Sequence, residues 1–351
     1  MVICFNATPE AHAALQRVLA TGRYADINAA LCAAVTNLAV LDTAVTAQGG
    51  FVLATSVTPG TTSRSRPPMV EPGPGLIPTE LKKPTPPFET ARFAATSPRP
   101  AGNVADIGPK GWLWGQFNKI FPVKVTCRGT LNLLLQNPEI KPVEAAPIIT
   151  KSAAALAVLL RKADESSGRK RDEAFGAAFP SGERDNEKSL TRFAEQFVYA
   201  TGSFATSSLP LQMGLVHCEG TELRLTPAGL QFGELDNPIL DGNLLQSADK
   251  FSAEELDFLR AHILAHVPQE RSALRAILRA VDHGATNPDA VDAYLRQLYP
   301  AESAELTEPF LGTQRTGAIS RAAELKLLRR KRQGIRVTYE VEDAGRAFLS
   351  A

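Results

Sequence analysis

Residues 313–349 read TQRTGAISRAAELKLLRRKRQGIRVTYEVEDAGRAFL, and a change of period inside this stretch decides how the chain is built. From Gln314 to Leu327, apolar Ile319, Ala322, Ala323 and Leu327 share one face at helical spacing, which predicts a helix with Arg315 and Arg321 turned away from its core side. Beyond it the period drops to two. Leu328 to Lys331 and Ile335 to Val341 read as strands about a Gln333-Gly334 turn, with Val337, Tyr339 and Val341 on one side. Arg329, Arg330, Lys331, Arg332 and Arg336 place five cations within eight residues. The whole chain holds 38 basic and 37 acidic side chains, so this charge is a local device. From Arg321 to Arg336, seven cations face Glu324 alone, a density that phosphate attraction explains; the plain alternative is a solvated basic turn.

Helix followed by hairpin resembles the winged-helix family, a helix-turn-helix variant. The resemblance implies that the helix before the hairpin enters a major groove while the hairpin flanks the backbone or minor groove. It makes Gln314, Arg315, Thr316, Ser320 and Arg321 the expected groove contacts, and Arg329, Arg330, Lys331, Arg332 and Arg336 the expected phosphate ligands. The same grammar occurs earlier. SLTRFAEQFVYATGSF (189–204) reads as a helix bearing Arg192, a further DNA-contact candidate, and LQMGLVHCEGTELRLTPAGLQF (211–232) as a hairpin about Glu219-Gly220 with a helix start at Thr226-Pro227. FPVKVTCRGTLNLLLQ upstream supplies a first helix, and SAAALAVLLRKADESSGRKRDEAF a later one with a basic tail at Arg169, Lys170 and Arg171. Winged-helix-like order thus covers about 117–235 and 251–350. The earlier hairpin has only Arg224 against Glu219 and Glu222, which suits a structural or partner-binding copy, and the likeness between the two is one of pattern.

The first 45 residues give a short alternating strand, Val2 to Asn6, then two helices: Thr8 caps the first with Pro9 at its opening position, Gly22 closes it and Asp26 starts the second. With TPEAHAAL and TGRYADINAAL in place, this order resembles the ribbon-helix-helix family over residues 1–47. That resemblance implies a homodimer whose paired strands present Val2, Cys4 and Asn6 outward, and only Asn6 can read a base edge. Through Gly50, Arg17 and Arg23 stand against Glu10, Asp26 and Asp42, a balance that attracts no phosphate, so the module either reads DNA or only dimerises.

Residues 57–110 are crowded with Pro, Gly, Ser and Thr and read as an extended linker. It leaves a body of two winged-helix-like domains, 111–240 and 251–351, with a break expected around GELDNPILDGNLLQSADK (233–250). Ser252 and Glu255 form a capping box that starts a helix, and FLRAHILAHV, ERSALRAILRAVDHG and NPDAVDAYLRQLY continue as packed helices between the break and the last hairpin. The fold class expected is mainly α with small β hairpins, α+β.

Other chemistry is poorly supported. Cys4, Cys32, Cys127 and Cys218 form no C-x-x-C pair. His262 and His266 stand one helical turn apart without the Glu of a zinc protease motif. Pro288-Asp289 with Glu324 to Lys326 faintly matches a nuclease pattern, but both fall in expected helix. No phosphate-cradling loop or nucleophile elbow occurs. The most apolar uncharged run, Ile27 to Leu41, is too short to cross a bilayer, and no apolar signal core opens the chain. The expectation is a cytoplasmic, dimeric, non-enzymatic protein without cofactor or metal that binds double-stranded DNA, as a transcription regulator or the recognition subunit of a larger system. A protein-interaction adaptor, antitoxin-like or a defence-complex subunit with a protein partner, is the alternative; a metal-dependent nuclease stands third.

Overall fold

A computed structural model describes residues 77–84, 106–169, 173–180, 186–199, 208–219, 221–334 and 336–351, all within one unit that runs from Pro74 to Ala351. The expected ribbon-helix-helix module with Asn6, most of the linker, and Lys170 and Arg171 lie outside the described residues.

The described chain is mainly helical, with two separate two-stranded antiparallel sheets. Helices α1 (Phe121–Gln136), α2 (Pro142–Ser166), α3 (Asn186–Phe197) and the single turn α4 (Leu209–Gln212) lead to strands β1 (Val216–Glu219) and β2 (Glu222–Leu225), then α5 (Pro227–Glu234). The second half repeats the plan. Helices α6 (Ala253–His266), α7 (Pro268–Asp282), α8 (Pro288–Leu298), the short α9 (Pro300–Ser303) and α10 (Glu308–Glu324) lead to β3 (Leu328–Gln333), β4 (Arg336–Val341) and α11 (Asp343–Ser350).

Local chemistry sets these boundaries. Ser252 Oγ accepts from Glu255 N while Glu255 accepts in return from Ser252 N, the reciprocal cap that starts α6. Thr226 caps α5, Asn287 caps α8 and Thr307 caps α10, each accepting from the backbone N–H three residues on, with a proline in the first turn.

The two hairpins are entered and left in the same way. Gly214 (φ 64°) and Lys326 (φ 54°) both take the left-handed conformation just before the first strand. Thr226 N then donates to Leu215 O at 3.1 Å, and Glu342 N to Leu327 O at 3.0 Å, tying the start of each trailing helix to the start of its hairpin. Gly229 and Gly345 sit three residues further on, where a Cβ would lie 1.7 Å from Leu215 O and 2.1 Å from Leu327 O. This matches LTPAGLQF (225–232) to VEDAGRAF (341–348), a repeat that the sequence shows only as a shared pattern. The difference is length: β3 and β4 are each two residues longer than β1 and β2, adding the rungs Arg332↔Val337 and Gln333↔Arg336.

Helix α1 is buried from Phe121 to Leu134, charged residues included. Lys124 Nζ donates to Phe232 O and Leu235 O, both at 2.6 Å, and pairs with Glu255 at 2.9 Å. Arg128 donates Nε to Gly233 O and grips Asp241 with two bonds of 2.6 and 2.9 Å. Both cations therefore meet the carbonyl-rich end of α5, where the helix dipole is negative. Asn237 completes the set, donating to Lys250 O and Glu255 Oε2 and accepting from Ile239 N and Leu240 N.

That network occupies 235–251, where a break between domains was expected. The segment is irregular but packed: Ile239, Leu240, Leu244 and Phe251 are buried, and the body forms one unit. Its polar composition mimics a linker because its side chains satisfy their own backbone and the buried charges of α1. The described parts of the expected linker are packed as well. Leu81 is fully buried, Asn132 Nδ2 donates to Glu80 O and Lys82 O, and Gln314 Nε2 donates to Pro109 O.

Candidate nucleic-acid interface

The β3–β4 hairpin follows from alternation. Leu328, Val341 and Tyr339 are buried on one face with Arg330 and Val337 half-buried beside them, while Arg329, Lys331, Gln333, Arg336, Thr338 and Glu340 form an exposed outer face. Tyr339 N donates to Thr286 O at 2.9 Å, anchoring β4 to the turn after α7. The cations thus project from a hairpin fixed along one edge.

Counter-charges lie close by. Arg329 pairs with Glu342 at 2.6 Å, Lys331 with Glu340 at 2.6 Å and Lys326 with Asp249 at 2.5 Å, all between substantially exposed groups. The Glu340 carboxyl falls below its usual range because Lys331 bonds to it and sits beside it. Exposed pairs of this kind add little to stability and can be exchanged for phosphate partners at little cost. Arg332 and Arg336 stand exposed near the tip.

Beneath the hairpin lies a cleft of about 800 Å³, lined by Arg330, Arg332, Lys119 and Lys250, with Phe175 and Leu256 among its apolar walls. Its floor is Glu324. That carboxylate pairs with Lys250 at 2.7 Å and accepts from Ile120 N and from Phe121 N, capping α1. Burial pushes Glu324 up, but Lys250, Lys119 and the backbone donors together bring it below its usual range. The charge is neutralised in place, and the cleft keeps an excess of cations. Lys119 and Lys250 were missed from the sequence, since nothing local links them to a hairpin about two hundred and about eighty residues away, respectively.

The helix before the hairpin departs from expectation. α10 is buried along its second half instead of presenting a groove-facing side. Arg321 is 1% exposed and makes a two-bond pair with Glu270, Nε to Oε1 and Nη2 to Oε2, both at 2.7 Å, while Nη1 donates to Phe117 O. Gln314 is buried, donating to Pro109 O and accepting from Gly115 N; Ser320 is buried too. Arg315 is held by Asp292 and Pro288 O. The cause is the segment 106–120, which closes over α10 so tightly that a Cβ at Gly317 would lie 2.2 Å from Gly115 O. Gln314, Ser320 and Arg321 are therefore packing residues and Arg315 a tethered one; of the expected groove contacts, only Thr316 is exposed.

Arg192 is exposed on α3, in the other half of the body. The β1–β2 tip carries Glu219 and Glu222, with Arg224 paired to Glu222 at 3.3 Å. Among the described residues no group of His, Cys, Asp and Glu is arranged to hold a metal. His262 is buried, stacked on Phe258, and its Nε2 meets Met213 O at 2.7 Å; burial lowers its affinity for a proton. Glu324 of the faint nuclease pattern is committed to Lys250 and the α1 cap.

Comparison with protein-family models, with curated proteins and with solved structures finds no match to this chain.

Proposed function

We propose that this protein binds double-stranded DNA through the β3–β4 hairpin, as a winged-helix protein in which the wing, and not the buried α10, makes the contact. One observation carries the reading. Of two hairpins entered and left alike, only the longer is basic, and the two rungs that lengthen it add Arg332 and Arg336. A stabilising element has no need of such charge, whereas a row of cations at alternate strand positions, about 6.8 Å apart, suits a phosphate backbone. Arg329, Lys331 and Arg336 on the outer face position the duplex; Arg330 and Arg332 supply charge on the cleft side. On the ribbon-helix-helix resemblance, residues 1–47 would pair two copies and either read a base edge through Asn6 or only dimerise. The protein then serves as a regulator of transcription or the recognition subunit of a larger system, without chemistry of its own.

The test is a salt titration of DNA affinity. Replacing Arg329, Lys331 and Arg336 by Ala weakens binding to all sequences and lowers the slope of log K against log salt by about 0.9 for each phosphate no longer neutralised. An unchanged slope overturns the assignment. The second reading, a protein-interaction adaptor, is favoured by the acidic β1–β2 tip, and predicts isolation with one stoichiometric protein and no DNA.

A further inference from the structure

Helix α2 has one face in the core, where Ile149, Leu156 and Leu160 are fully buried, and an outer face on which exposed apolar side chains stand among charged ones. Of the six large apolar side chains left exposed among the described residues, three belong to this helix: Val143 at 59%, Ile148 at 37% and Val158 at 45%. The helix is long and apolar enough to span a membrane, but half of that apolar stretch is buried inside the body. A surface of this kind is ordinarily covered.

The outer residues say by what. Lys141, Glu144, Ile148, Lys151, Ala155, Val158, Lys162 and Glu165 follow one another at alternating steps of three and four, the spacing of a coiled-coil seam, and all are exposed except half-buried Lys162. Their order is also symmetric about position 153. In an antiparallel pair of such helices Lys141 faces Glu165 of the other copy, Glu144 faces Lys162, Ile148 faces Val158, and Lys151 lays its stem over Ala155. Opposite charges meet at both ends, apolar groups meet between them, and the small residue lies opposite the long one. Lipid would leave the charges of this seam unmatched.

We propose that α2 docks against α2 of a second copy, antiparallel and across a two-fold axis. The contact is isologous, so one seam supplies both halves. A single helix pair is smaller than the roughly 800 Å² per partner of a stable interface, so the association is concentration-dependent. It stands apart from the DNA-binding reading, because no hairpin residue takes part.

The test uses the full chain, with isotopically light and heavy copies mixed and treated with a short amine-reactive cross-linker. The antiparallel seam puts the two Lys151 Cα atoms about 11 Å apart and the two Lys162 Cα atoms about 28 Å apart. A mixed-isotope Lys151–Lys151 product is expected, without a Lys162–Lys162 product. Val158→Glu places two carboxylates at the apolar centre and cuts the product about tenfold or more, with an unchanged thermal midpoint. Lys141→Glu and Glu165→Lys each suit the helix dipole, yet each alone reduces the product; together they restore it. A parallel product, links from α2 only to residues 1–105 of the same copy, binding of vesicles abolished by Val158→Glu, or no effect of Val158→Glu on the Lys151 product would each overturn the proposal.

Discussion

Asp241 shows how a single carboxylate can hold an irregular segment in place. Burial alone would raise its affinity for a proton; the Arg128 hydrogen bonds, the Asn237 N–H and the charges of Arg128 and Lys124 more than reverse this, so its pKa lies below the ordinary 3.8. A carboxylate depressed on folding contributes stability that is complete above its unfolded value and is lost as pH falls through the folded one. Asp241→Asn should therefore destabilise the protein at neutral pH and flatten the acid limb of stability below about pH 3.8, measured by urea unfolding across that range. Lys124 and Glu255, the neighbouring pair, are both pushed toward neutrality by burial, the lysine to about 8. Removing one partner, as in Lys124→Met, should cost about 3–5 kcal/mol by leaving the other charge buried alone. None of this was legible in the sequence. Lys124 and Arg128 resemble the cations of any amphipathic helix until their partners, more than a hundred residues away, are known. Arg321 misled for the same reason: its own helix gives no sign of Glu270, which buries it.

Hairpins and helix starts were far more legible, because their causes are local. The Ser252–Glu255 box and the Thr226-Pro227 start carry their reason within four residues and stand where the sequence placed them, while the turn expected at Gln333-Gly334 lies later, since Gln333 still belongs to β3 and pairs with Arg336. What escaped was the shared clasp of the two hairpins, since three identical letters among eight, at an offset altered by four inserted residues, fall below the eye's threshold. The clasp makes its own prediction. Gly345→Ala would drive a methyl into Leu327 O and should cost about 1–3 kcal/mol, with Gly229→Ala doing the same against Leu215 O. Both are checked by thermal unfolding. Lys326 takes a conformation that costs an L-residue about 1–2 kcal/mol, so Lys326→Gly should be tolerated for stability.

For the whole molecule, composition was a fair guide to class and a poor guide to boundaries. A near-neutral chain with 44% apolar residues reads as globular with a helical majority, and the described residues are mainly helical. The expected joint at 233–250 was drawn from polar, Gly- and Pro-bearing sequence, yet those residues bind α1, α5 and α6 into one body. Limited trypsin digestion should spare Lys250, whose amine is held by Glu324, and leave a resistant fragment that spans both hairpins. Cleavage there ahead of exposed loops would mean that the halves separate. The extreme burial of α1 also has a meaning for biogenesis. Apart from one long bond from Arg128 to Leu81 O, its charges find their acceptors at residues 232–255, so a nascent chain leaving the ribosome carries that helix, greasy and mispaired, for the synthesis of about a hundred further residues before it can be sealed. Slow completion of this protein, and reliance on holding chaperones while it waits, would follow from where one helix keeps its partners.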